Sequence, residues 1–266
     1  MKTRILGAIL IVGIFVPFLI IGELPFAVFM SVLGILGLYE LLKVRETERK
    51  FPTLLKIIAY LFTLGFCLYN TNSIEFKYVF DYRVMAALIF IFLSPMVFIN
   101  NKKKYDFNDA LFLIGAVLFI GLSFNLIIIT RNFDINYVIY LLLITTLTDT
   151  FAYITGRLVG SHKLCPRISP KKTIEGLIGG VLMGTFASVA FYLTIINSNI
   201  SLVLLIMITA ILCLVGQLGD LVFSSIKRGY DVKDFSKFIP GHGGILDRFD
   251  SLIFVTLAFV IFMGIL

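Results

Sequence analysis

Charged residues are scarce in this chain. Asp, Glu, Lys and Arg together make up 15% of its 266 residues, whereas 59% of the residues are hydrophobic and the mean hydropathy is +1.01. A soluble domain of this length needs much less apolar material to fill its core. The composition therefore excludes an ordinary soluble globular protein and predicts an integral membrane protein.

Cysteine and histidine are also rare, with three and two copies. Cys67 and Cys213 lie in apolar runs and Cys165 lies in a basic loop, so their spacing matches neither a disulfide framework nor a metal-binding motif. His162 and His242 lie in different loops. We therefore expect free thiols and no zinc site.

The chain lacks Pro-rich or Ser-rich linkers, low-complexity segments and repeats of fixed period. Its start, MKTR followed by an apolar run over residues 5–21, is similar to a signal peptide but has no small-residue cleavage site. We therefore expect that this run is retained as a first helix.

Apolar segments long enough to cross a bilayer recur along the chain. A helix of about 20 apolar residues spans roughly 30 Å of hydrocarbon. The predicted fold is therefore an all-α, polytopic integral membrane protein with about nine transmembrane helices. These helices are predicted at residues 5–22, 24–42, 54–70, 84–99, 110–130, 137–156, 174–196, 201–226 and 250–266.

The basic residues are distributed unevenly between the two sides that these spans define. Of the 23 Lys and Arg residues, only Lys77, Arg83 and Arg131 fall on the side opposite the N-terminus. Because Lys and Arg are enriched in cytoplasmic loops, we expect a cytoplasmic N-terminus and a C-terminus outside. The net charge of +7 then reflects membrane topology and acidic lipid or nucleotide partners, so no nucleic acid partner is expected.

Polar residues inside the predicted spans are concentrated in the last four helices. The chain therefore divides into an N-terminal transmembrane scaffold, residues 1–136, and a C-terminal half, residues 137–266, that carries the candidate site. We expect cytoplasmic loops of the C-terminal half at residues 157–173 and 227–250.

One polar stretch, residues 224–250, interrupts the apolar pattern and reads SSIKRGYDVKDFSKFIPGHGGILDRFD. Three glycines flank His242, and glycine allows positive φ angles and a close approach of the backbone to a ligand. They are Gly241, Gly243 and Gly244. Exposed backbone N–H groups beside Lys and Arg suit phosphate oxygens. The stretch therefore predicts a phosphate site, whose basic residues are Lys227, Arg228, Lys233, Lys237 and Arg248.

Four aspartates are candidates for holding a cation. Asp247 and Asp250 are three residues apart, before the last apolar run, and would share one face of a helix there. Asp149 and Asp220 lie about seven or eight residues before the cytoplasmic ends of their predicted helices, roughly 10 to 12 Å into the membrane. Carboxylates at that depth need water, a partner or a cation, and oxygen ligands favour Mg²⁺. Asp220 and Asp247 are the first candidates for metal ligands, and Asp250 is either a third ligand or a partner of Arg248.

A second basic element, SPKKTIEG, occupies residues 169–176. Thr173 can cap the helix that follows, with Glu175 in its first turn. A helix N-terminus preceded by Lys171 and Lys172 is a favourable site for an anion. The element therefore predicts a second phosphate contact, with ordinary flanking charge of a membrane helix as the alternative.

These elements resemble a known family. The polar stretch matches, without a departure, the signature of phosphatidate cytidylyltransferases, also called CDP-diglyceride synthetases. The SPKKTxEG element and the D-x-x-A-Y-x-x-G-R pattern around Asp149 are also found in that family. The resemblance covers residues from about 145 to 250, whereas the N-terminal half is similar to the family only in hydropathy. The matching residues of the signature are Ser224, Ile226, Lys227, Arg228, Lys233, Asp234, Ser236, Ile239, Pro240, His242, Gly243, Gly244, Ile245, Asp247, Arg248, Phe249 and Asp250.

The resemblance implies a nucleotidyltransferase of phospholipid biosynthesis. Such an enzyme transfers a cytidylyl group from CTP to phosphatidic acid, giving CDP-diacylglycerol and pyrophosphate. It would be integral to the cytoplasmic (inner) membrane, with the active site facing the cytoplasm. Family members need a divalent cation and are often helped by potassium, so we expect Mg²⁺ and allow a second cation such as K⁺. A homodimer is compatible with the sequence.

Given the reaction that the resemblance implies, the candidate residues have expected roles. The residues expected to carry catalysis are Asp220, Asp247, Lys227, Arg228 and Arg248. Those expected to bind CTP and its phosphates are Lys171, Lys172, Thr173, Lys233, His242, Gly243, Gly244 and Asp149. The expected metal ligands are Asp220, Asp247 and Asp250. We expect His242 to order the glycine loop or to contact phosphate, with acid or base chemistry as the lesser alternative.

Two other functions are weighed against this one. A CTP-dependent lipid or polyprenol kinase would use the same nucleotide but would transfer its γ-phosphate. A membrane transporter would also bury carboxylates, but the chain has no inverted repeat and its charges cluster at one face. CDP-alcohol phosphotransfer would need a D-G-x-x-A-R element, which the sequence lacks.

Overall fold

The computed structural model is mainly helical, and it describes residues 2–69, 71, 82–99, 105–197, 199–239, 241 and 243–263, with the backbone alone for residues 2–11. The chain forms two compact units. The first contains Met1–Phe133 and Phe235–Ile245, and the second contains Asp134–Asp234 and Leu246–Leu266. The polar stretch at residues 224–250 therefore contributes to both units.

The first unit is a bundle of helices arranged around its last one. Its helices are α1 (Lys2–Ile21), α2 (Glu23–Arg45), α3 (Thr53–Cys67), α4 (Tyr82–Leu93), α5 (Pro95–Phe98) and α6 (Phe107–Phe133). Helix α6 packs against α2, α3 and α4 and buries Val117, Ile120 and Phe124 completely. A Cβ on Gly121 of α6 would lie 2.8 Å from the Cβ of Phe66. The glycine therefore allows α6 and α3 to approach closely.

Ionic contacts join the end of α2 to the start of α6 in the same unit. Arg49 Nη1 lies 2.5 Å from Asp106 Oδ2 and 2.9 Å from Asp109 Oδ2. Asp106 also accepts a hydrogen bond from the Asp109 amide at 3.0 Å, in the manner of a helix N-cap. The Asp109 amide and the Arg49 guanidinium hold the pKa of the Asp106 carboxyl below its usual range. These contacts hold the polar ends of two otherwise apolar helices together.

The second unit consists of four helices, a π-helical turn and a small hairpin. Its elements are α7 (Ile135–Leu158), β1 (Lys163–Cys165), β2 (Ser169–Thr173), α8 (Ile174–Phe191), a π-helical turn (Tyr192–Ile196), α9 (Leu202–Gly229) and α10 (Leu246–Phe262). Helix α8 packs against α7 and α9, and α9 packs against α10. Asp134 is the N-cap of α7, where its side chain accepts from the Asn136 amide, and Ser201 is the N-cap of α9, where its side chain accepts from the Leu204 amide.

A row of glycines on α8 brings this helix close to α7. Gly176, Gly180 and Gly184 follow one another at intervals of four residues, so they lie on one face of α8. A Cβ on Gly180 would lie 2.6 Å from the carbonyl oxygen of Thr148, and a Cβ on Gly184 would lie 2.3 Å from its Oγ1. Membrane helices associate through such small residues, because lipid leaves packing as the main attraction between them.

Glycines also bring α9 and α10 together. A Cβ on Gly219 would lie 2.7 Å from the Cβ of Phe254, and a Cβ on Gly216 would lie 3.0 Å from Val255. These glycines lie on the same helix as Asp220, so the close packing occurs next to a candidate site residue.

Each of the predicted spans coincides with helix in the described residues. Helices long and apolar enough to cross a membrane are Glu23–Arg45, Phe107–Phe133, Ile135–Leu158, Ile174–Ile196 and Leu202–Gly229, and shorter apolar helices are Val12–Ile21, Thr53–Cys67 and Tyr82–Phe98. The span predicted at residues 84–99 is divided into α4 and α5 at Pro95, which has no backbone N–H to continue the helix. At the last predicted span, helix α10 begins at Leu246 and so includes Asp247 and Asp250; among the described residues it is not one of the helices long and apolar enough to cross a membrane. These helices agree with a polytopic membrane protein.

The expectation of an all-α chain needs one correction, because residues 163–173 form a short antiparallel hairpin rather than a plain loop. Strands β1 and β2 pair Lys163 with Thr173 and Cys165 with Ser169. Pro170 is tolerated in β2 because a two-stranded sheet always leaves an edge on which its missing N–H is not needed.

The hairpin is also fastened to the start of α8. The backbone amide of His162 lies 3.1 Å from Glu175 Oε1, and its ring Nδ1 lies 2.6 Å from the same oxygen. A residue just before β1 therefore contacts a residue in the first turn of α8, and the hairpin between them is closed at its base.

Candidate active site

The two short motifs of the second unit contact each other through small residues. Thr173 is the N-cap of α8, and its side chain accepts a hydrogen bond from the Gly176 amide at 3.1 Å, as the sequence predicted. A Cβ on Gly176 would lie 2.7 Å from the carbonyl oxygen of Ala152, and a Cβ on Gly156 would lie 2.8 Å from Thr173 Oγ1. Ala152 and Gly156 belong to the D-x-x-A-Y-x-x-G-R pattern, so its small residues make room for the SPKKTxEG element.

A chain of polar contacts joins β2, α7 and α9. Lys172 Nζ lies 2.6 Å from Asp220 Oδ2 and donates to Gln217 Oε1 at 2.9 Å. Gln217 Nε2 donates in turn to Asp149 Oδ1 at 2.5 Å. The structure thus brings together Asp149, Lys172 and Asp220, which the sequence placed on three different elements.

Gln217 is a site residue that the sequence reasoning missed. It is 2% exposed and bridges Lys172 and Asp149 with its two amide atoms. A usable signal was present, because Gln217 is a polar residue inside an apolar span and precedes Asp220 by three positions on one helix face.

A second ion pair joins α9 to α10. Lys227 Nζ lies 2.6 Å from Asp247 Oδ1, and both residues are buried. Burying two charges is costly unless they are paired at hydrogen-bond distance, which this geometry provides. The pair therefore fixes the first turn of α10 against the end of α9.

Asp250 lies near both the Lys172–Asp220 pair and the Lys227–Asp247 pair. It lies within electrostatic range of Asp220, Lys227 and Asp149, and its Oδ1 accepts from the Ser251 amide at 2.7 Å. A Cβ on Gly219 would lie 3.0 Å from the carbonyl oxygen of Asp250. The glycine next to Asp220 therefore allows α10 to bring Asp250 close to α9.

A cavity of about 310 Å³ lies beside the Lys172 contacts. Its lining combines carboxylates, lysines and an arginine with small and apolar residues, which is the mixture that a phosphate-bearing ligand needs. The lining residues are Asp149, Ala152, Tyr153, Gly156, Arg157, Leu164, Lys171, Lys172, Thr173, Gly176, Leu177, Gln217 and Asp220.

The aspartates of the site are candidates for binding a metal ion. Within the described part of the chain, no group of three His, Cys, Asp or Glu side chains is arranged to hold a metal ion. Mg²⁺, however, is usually bound by one or two carboxylates together with water and substrate phosphates. Four aspartates, at 149, 220, 247 and 250, are grouped with Lys172 and Lys227, and their carboxylate oxygens are of the type that binds Mg²⁺ together with a phosphate ligand.

The remaining basic candidates of this unit lie at the surface. Arg228 is exposed and donates to the Val232 carbonyl at 2.9 Å. Lys171, Lys233 and Arg248 are also exposed, and Lys171 lines the cavity. Ser224 contributes a long hydrogen bond, 3.4 Å, to Asp220 Oδ1.

The glycine segment, Phe235–Ile245, belongs to the first unit. Gly241 and Gly243 have φ angles of 78° and 87°, as expected for glycines in a tight turn, and the Ile239 amide donates to the Gly243 carbonyl at 2.9 Å. Gly244 has no such φ angle; instead, a Cβ there would lie 2.5 Å from the carboxylate oxygens of Glu40. His242 lies outside the described residues, so its expected role stays a prediction.

The fold and the cavity define a helical membrane protein with a polar site suited to phosphate groups. The chain matches the model of the Cytidylyltransferase family over residues 2–266 and therefore belongs to that family. The resemblance seen in the C-terminal half is thereby confirmed and extends to the N-terminal half, where the sequence reasoning found only similar hydropathy.

Relatives of this chain carry a more particular name. A phosphatidate cytidylyltransferase of Staphylococcus haemolyticus is 39% identical over 256 residues, which is 96% of each chain. The phosphatidate cytidylyltransferase of Staphylococcus saprophyticus is 40% identical over 257 residues, and that of Staphylococcus aureus is 39% identical over 256 residues. Both alignments again cover 96% of each chain.

Proposed function

We propose that this chain is a phosphatidate cytidylyltransferase, which converts CTP and phosphatidic acid to CDP-diacylglycerol and pyrophosphate. The observation that carries the proposal is the cavity lined by Lys172, Asp220, Gln217 and Asp149. It is built from the SPKKTxEG element, the D-x-x-A-Y-x-x-G-R pattern and the helix that leads into the signature. The name shared by relatives that cover nearly the whole chain supports the same substrates.

The proposed location is the cytoplasmic (inner) membrane, with about nine spans, a cytoplasmic N-terminus, a C-terminus outside and the site facing the cytoplasm. The concentration of Lys and Arg on one side of the predicted spans supports this orientation. CTP would then reach the site from the cytoplasm, and the lipid would enter from the membrane between helices. We also propose the division into an N-terminal scaffold, residues 1–136, and a catalytic half, residues 137–266.

The proposed reaction needs no enzyme nucleophile. An oxygen of the phosphatidic acid phosphate, already anionic at neutral pH, attacks the α-phosphorus of CTP. The bond from that phosphorus to the bridging oxygen of the β-phosphate breaks, and pyrophosphate leaves with the bonding electrons. The barrier is largely electrostatic because an anion must approach a triphosphate, so positioning and charge neutralisation are the main tasks of the protein.

The basic residues are proposed to supply that neutralisation. Lys172 is held at the cavity by Asp220 and Gln217, which fixes its ammonium group before the nucleotide arrives. Asp149 acts through Gln217, since it accepts the hydrogen bond that orients this amide. The other residues proposed to bind the triphosphate or the departing pyrophosphate are Lys171, Thr173, Lys227, Arg228, Lys233, His242, Gly243, Gly244 and Arg248.

Asp220, Asp247 and Asp250 are the residues proposed to hold Mg²⁺. When bound, the ion would screen phosphate charge and polarise phosphate oxygens. In the structure Asp220 and Asp247 each contact a lysine, so these carboxylates would share their oxygens between lysine and cation. A second cation such as K⁺ is proposed to accompany it.

The test is transfer of label from α-labelled CTP to phosphatidic acid by purified protein in vesicles, with and without Mg²⁺. We expect label in the lipid, release of unlabelled pyrophosphate and loss of transfer when the metal is chelated. Label that stays on CDP, with γ-label entering the lipid, would identify a lipid kinase. Movement of a solute across sealed vesicles without any turnover of CTP would identify a transporter.

A further inference from the structure

Glu40 on α2 holds both ends of the glycine segment within the first unit. It is 2% exposed. Ser236 Oγ donates to Glu40 Oε1 at 2.6 Å, and the Ile245 amide donates to the same oxygen at 2.8 Å. Ser236 and Ile245 lie at the two ends of Phe235–Ile245, which belongs to the same unit as α2. One carboxylate therefore closes the segment into a loop.

Gly244 makes room for this carboxylate. A Cβ at position 244 would lie 2.5 Å from both Oε1 and Oε2 of Glu40. The backbone at Gly244 has no positive φ angle, unlike Gly241 and Gly243. The glycine at 244 is therefore needed for the approach of Glu40 rather than for its own conformation.

The two hydrogen bonds to Glu40 anchor the segment to α2. A buried carboxylate is costly unless hydrogen bonds replace its water, and Glu40 obtains two of them from the segment. Within the loop, the Ile239 amide and the Gly243 carbonyl close a tight turn. The turn thus has a hydrogen bond of its own, and Glu40 holds the segment on either side of it.

We propose that Glu40 is a positioning residue for cytidylyl transfer. By holding Ser236 and the Ile245 amide, it keeps the turn that contains Gly241 and Gly243 in the arrangement proposed to bind a phosphate. The inference rests on the proposed function, because phosphate binding by this segment is part of that proposal. It gives the N-terminal scaffold an indirect role in the reaction, since Glu40 acts through the segment and need not touch nucleotide or lipid.

Hydrogen exchange tests the anchor without reference to activity. Wild-type protein, Glu40→Ala and Glu40→Gln are compared by mass spectrometry of peptides that cover residues 235–245. Glu40→Ala should speed exchange at the Ile245 amide by about tenfold or more, because the amide loses its acceptor. Glu40→Gln keeps an acceptor oxygen and should lie between the two. The matched control is Glu46→Ala, which removes an engaged carboxylate at the end of α2 and should leave residues 235–245 unchanged.

Kinetics then test the positioning role. Glu40→Ala should lower kcat/KM for CTP by about tenfold to a hundredfold, the cost expected when a supporting contact lets a site shift. It should raise KM for CTP more than KM for phosphatidic acid, and Glu40→Gln should recover part of the loss. A merely structural defect would reduce the active fraction and leave both KM values unchanged. Ser236→Ala leaves the carboxylate in place and tests the same contact if Glu40→Ala does not fold.

The outcomes separate the two proposals. Unchanged exchange at residues 235–245 in Glu40→Ala and Ser236→Ala would overturn the anchor, whatever the activity. Faster exchange with wild-type CTP kinetics would overturn the positioning role. Wild-type protein that transfers no label from CTP to lipid would overturn the proposed function and, with it, the role of Glu40 in transfer.

Discussion

Lys172 Nζ lies 2.6 Å from an oxygen of Asp220, and the two side chains are 20% and 29% exposed. The lysine comes from the hairpin before α8 and the aspartate from the middle of α9. Because both side chains remain partly open to the cavity, the pair can exchange some of its mutual contact for contact with a ligand. The ion pair therefore holds both side chains in place and still leaves them accessible to a ligand.

Asp220→Asn and Asp247→Asn should each abolish cytidylyl transfer and leave a folded membrane protein. Either change removes a charge that holds a lysine and an oxygen proposed to bind Mg²⁺. The measurement is lipid labelling from α-labelled CTP by purified protein in vesicles. The matched control is Asp134→Asn, since asparagine caps a helix as well as aspartate does. Turnover near that of the wild type in either variant would remove that aspartate from the catalytic role.

Lys171→Ala should raise KM for CTP more than KM for phosphatidic acid. Lys171 is exposed, lines the cavity and forms no ion pair with the residues that the structure describes, so its ammonium group can meet the triphosphate directly. Steady-state kinetics with each substrate varied in turn give the two constants. Lys163→Ala, an exposed lysine on the other strand of the hairpin, serves as the control. A larger effect on the lipid constant would place the SPKKT element at the lipid instead.

Gln217→Leu should lower kcat/KM by about tenfold to a hundredfold, the range observed when groups that orient a site are removed. The leucine has similar size but cannot donate to Asp149 or accept from Lys172. A double variant with Asp149→Asn should lose less than the two single losses combined, because both residues act through one chain of contacts. Leu218→Ala, on the exposed face of the same helix, is the control. Fully additive losses would show that Gln217 and Asp149 act independently.

Gly180→Ala should destabilise the second unit. Its Cβ would lie 2.6 Å from the Thr148 carbonyl oxygen, and a backbone atom cannot move aside as a flexible side chain can. Overpacking of this kind costs about 1–3 kcal/mol. Thermal unfolding in detergent should show a lower midpoint.

Gly115→Ala provides the contrast to Gly180→Ala. Nothing lies within 4 Å of a Cβ at Gly115 in α6, so the same substitution removes backbone entropy from the unfolded chain without a clash. We expect a gain of about 0.5–1 kcal/mol there. A similar loss of stability in both variants would mean that the close contact at Gly180 does not cause the destabilisation.

The sequence predicts those features of the fold that depend on neighbours along the chain. Apolar runs located the helices, and Thr173 was identified as a cap from its place before Glu175. The hairpin was missed because Lys163–Cys165 and Ser169–Thr173 are too short to show an alternating pattern.

The contacts of the site are harder to predict because they join distant parts of the chain. The sequence identified Lys172 and Asp220 separately, yet only the fold pairs them. Gln217 is uncharged, so charge alone does not indicate it as a site residue. Glu40 lies 196 positions before Ser236, the serine that it binds. Charge and spacing thus indicate which residues take part, whereas tertiary packing decides which partners they have.

The bond between Glu40 and the segment that ends at Ile245 limits how the protein can be cut or recombined. A fragment that begins at residue 137 would carry nearly all of the recognisable motifs and still lack the acceptor for Ser236. A chimaera that takes its first helices from a distant homologue would need an acidic side chain at the position of Glu40, whatever else those helices contain. The two halves of the chain are therefore not interchangeable modules, even though the motifs are confined to one of them.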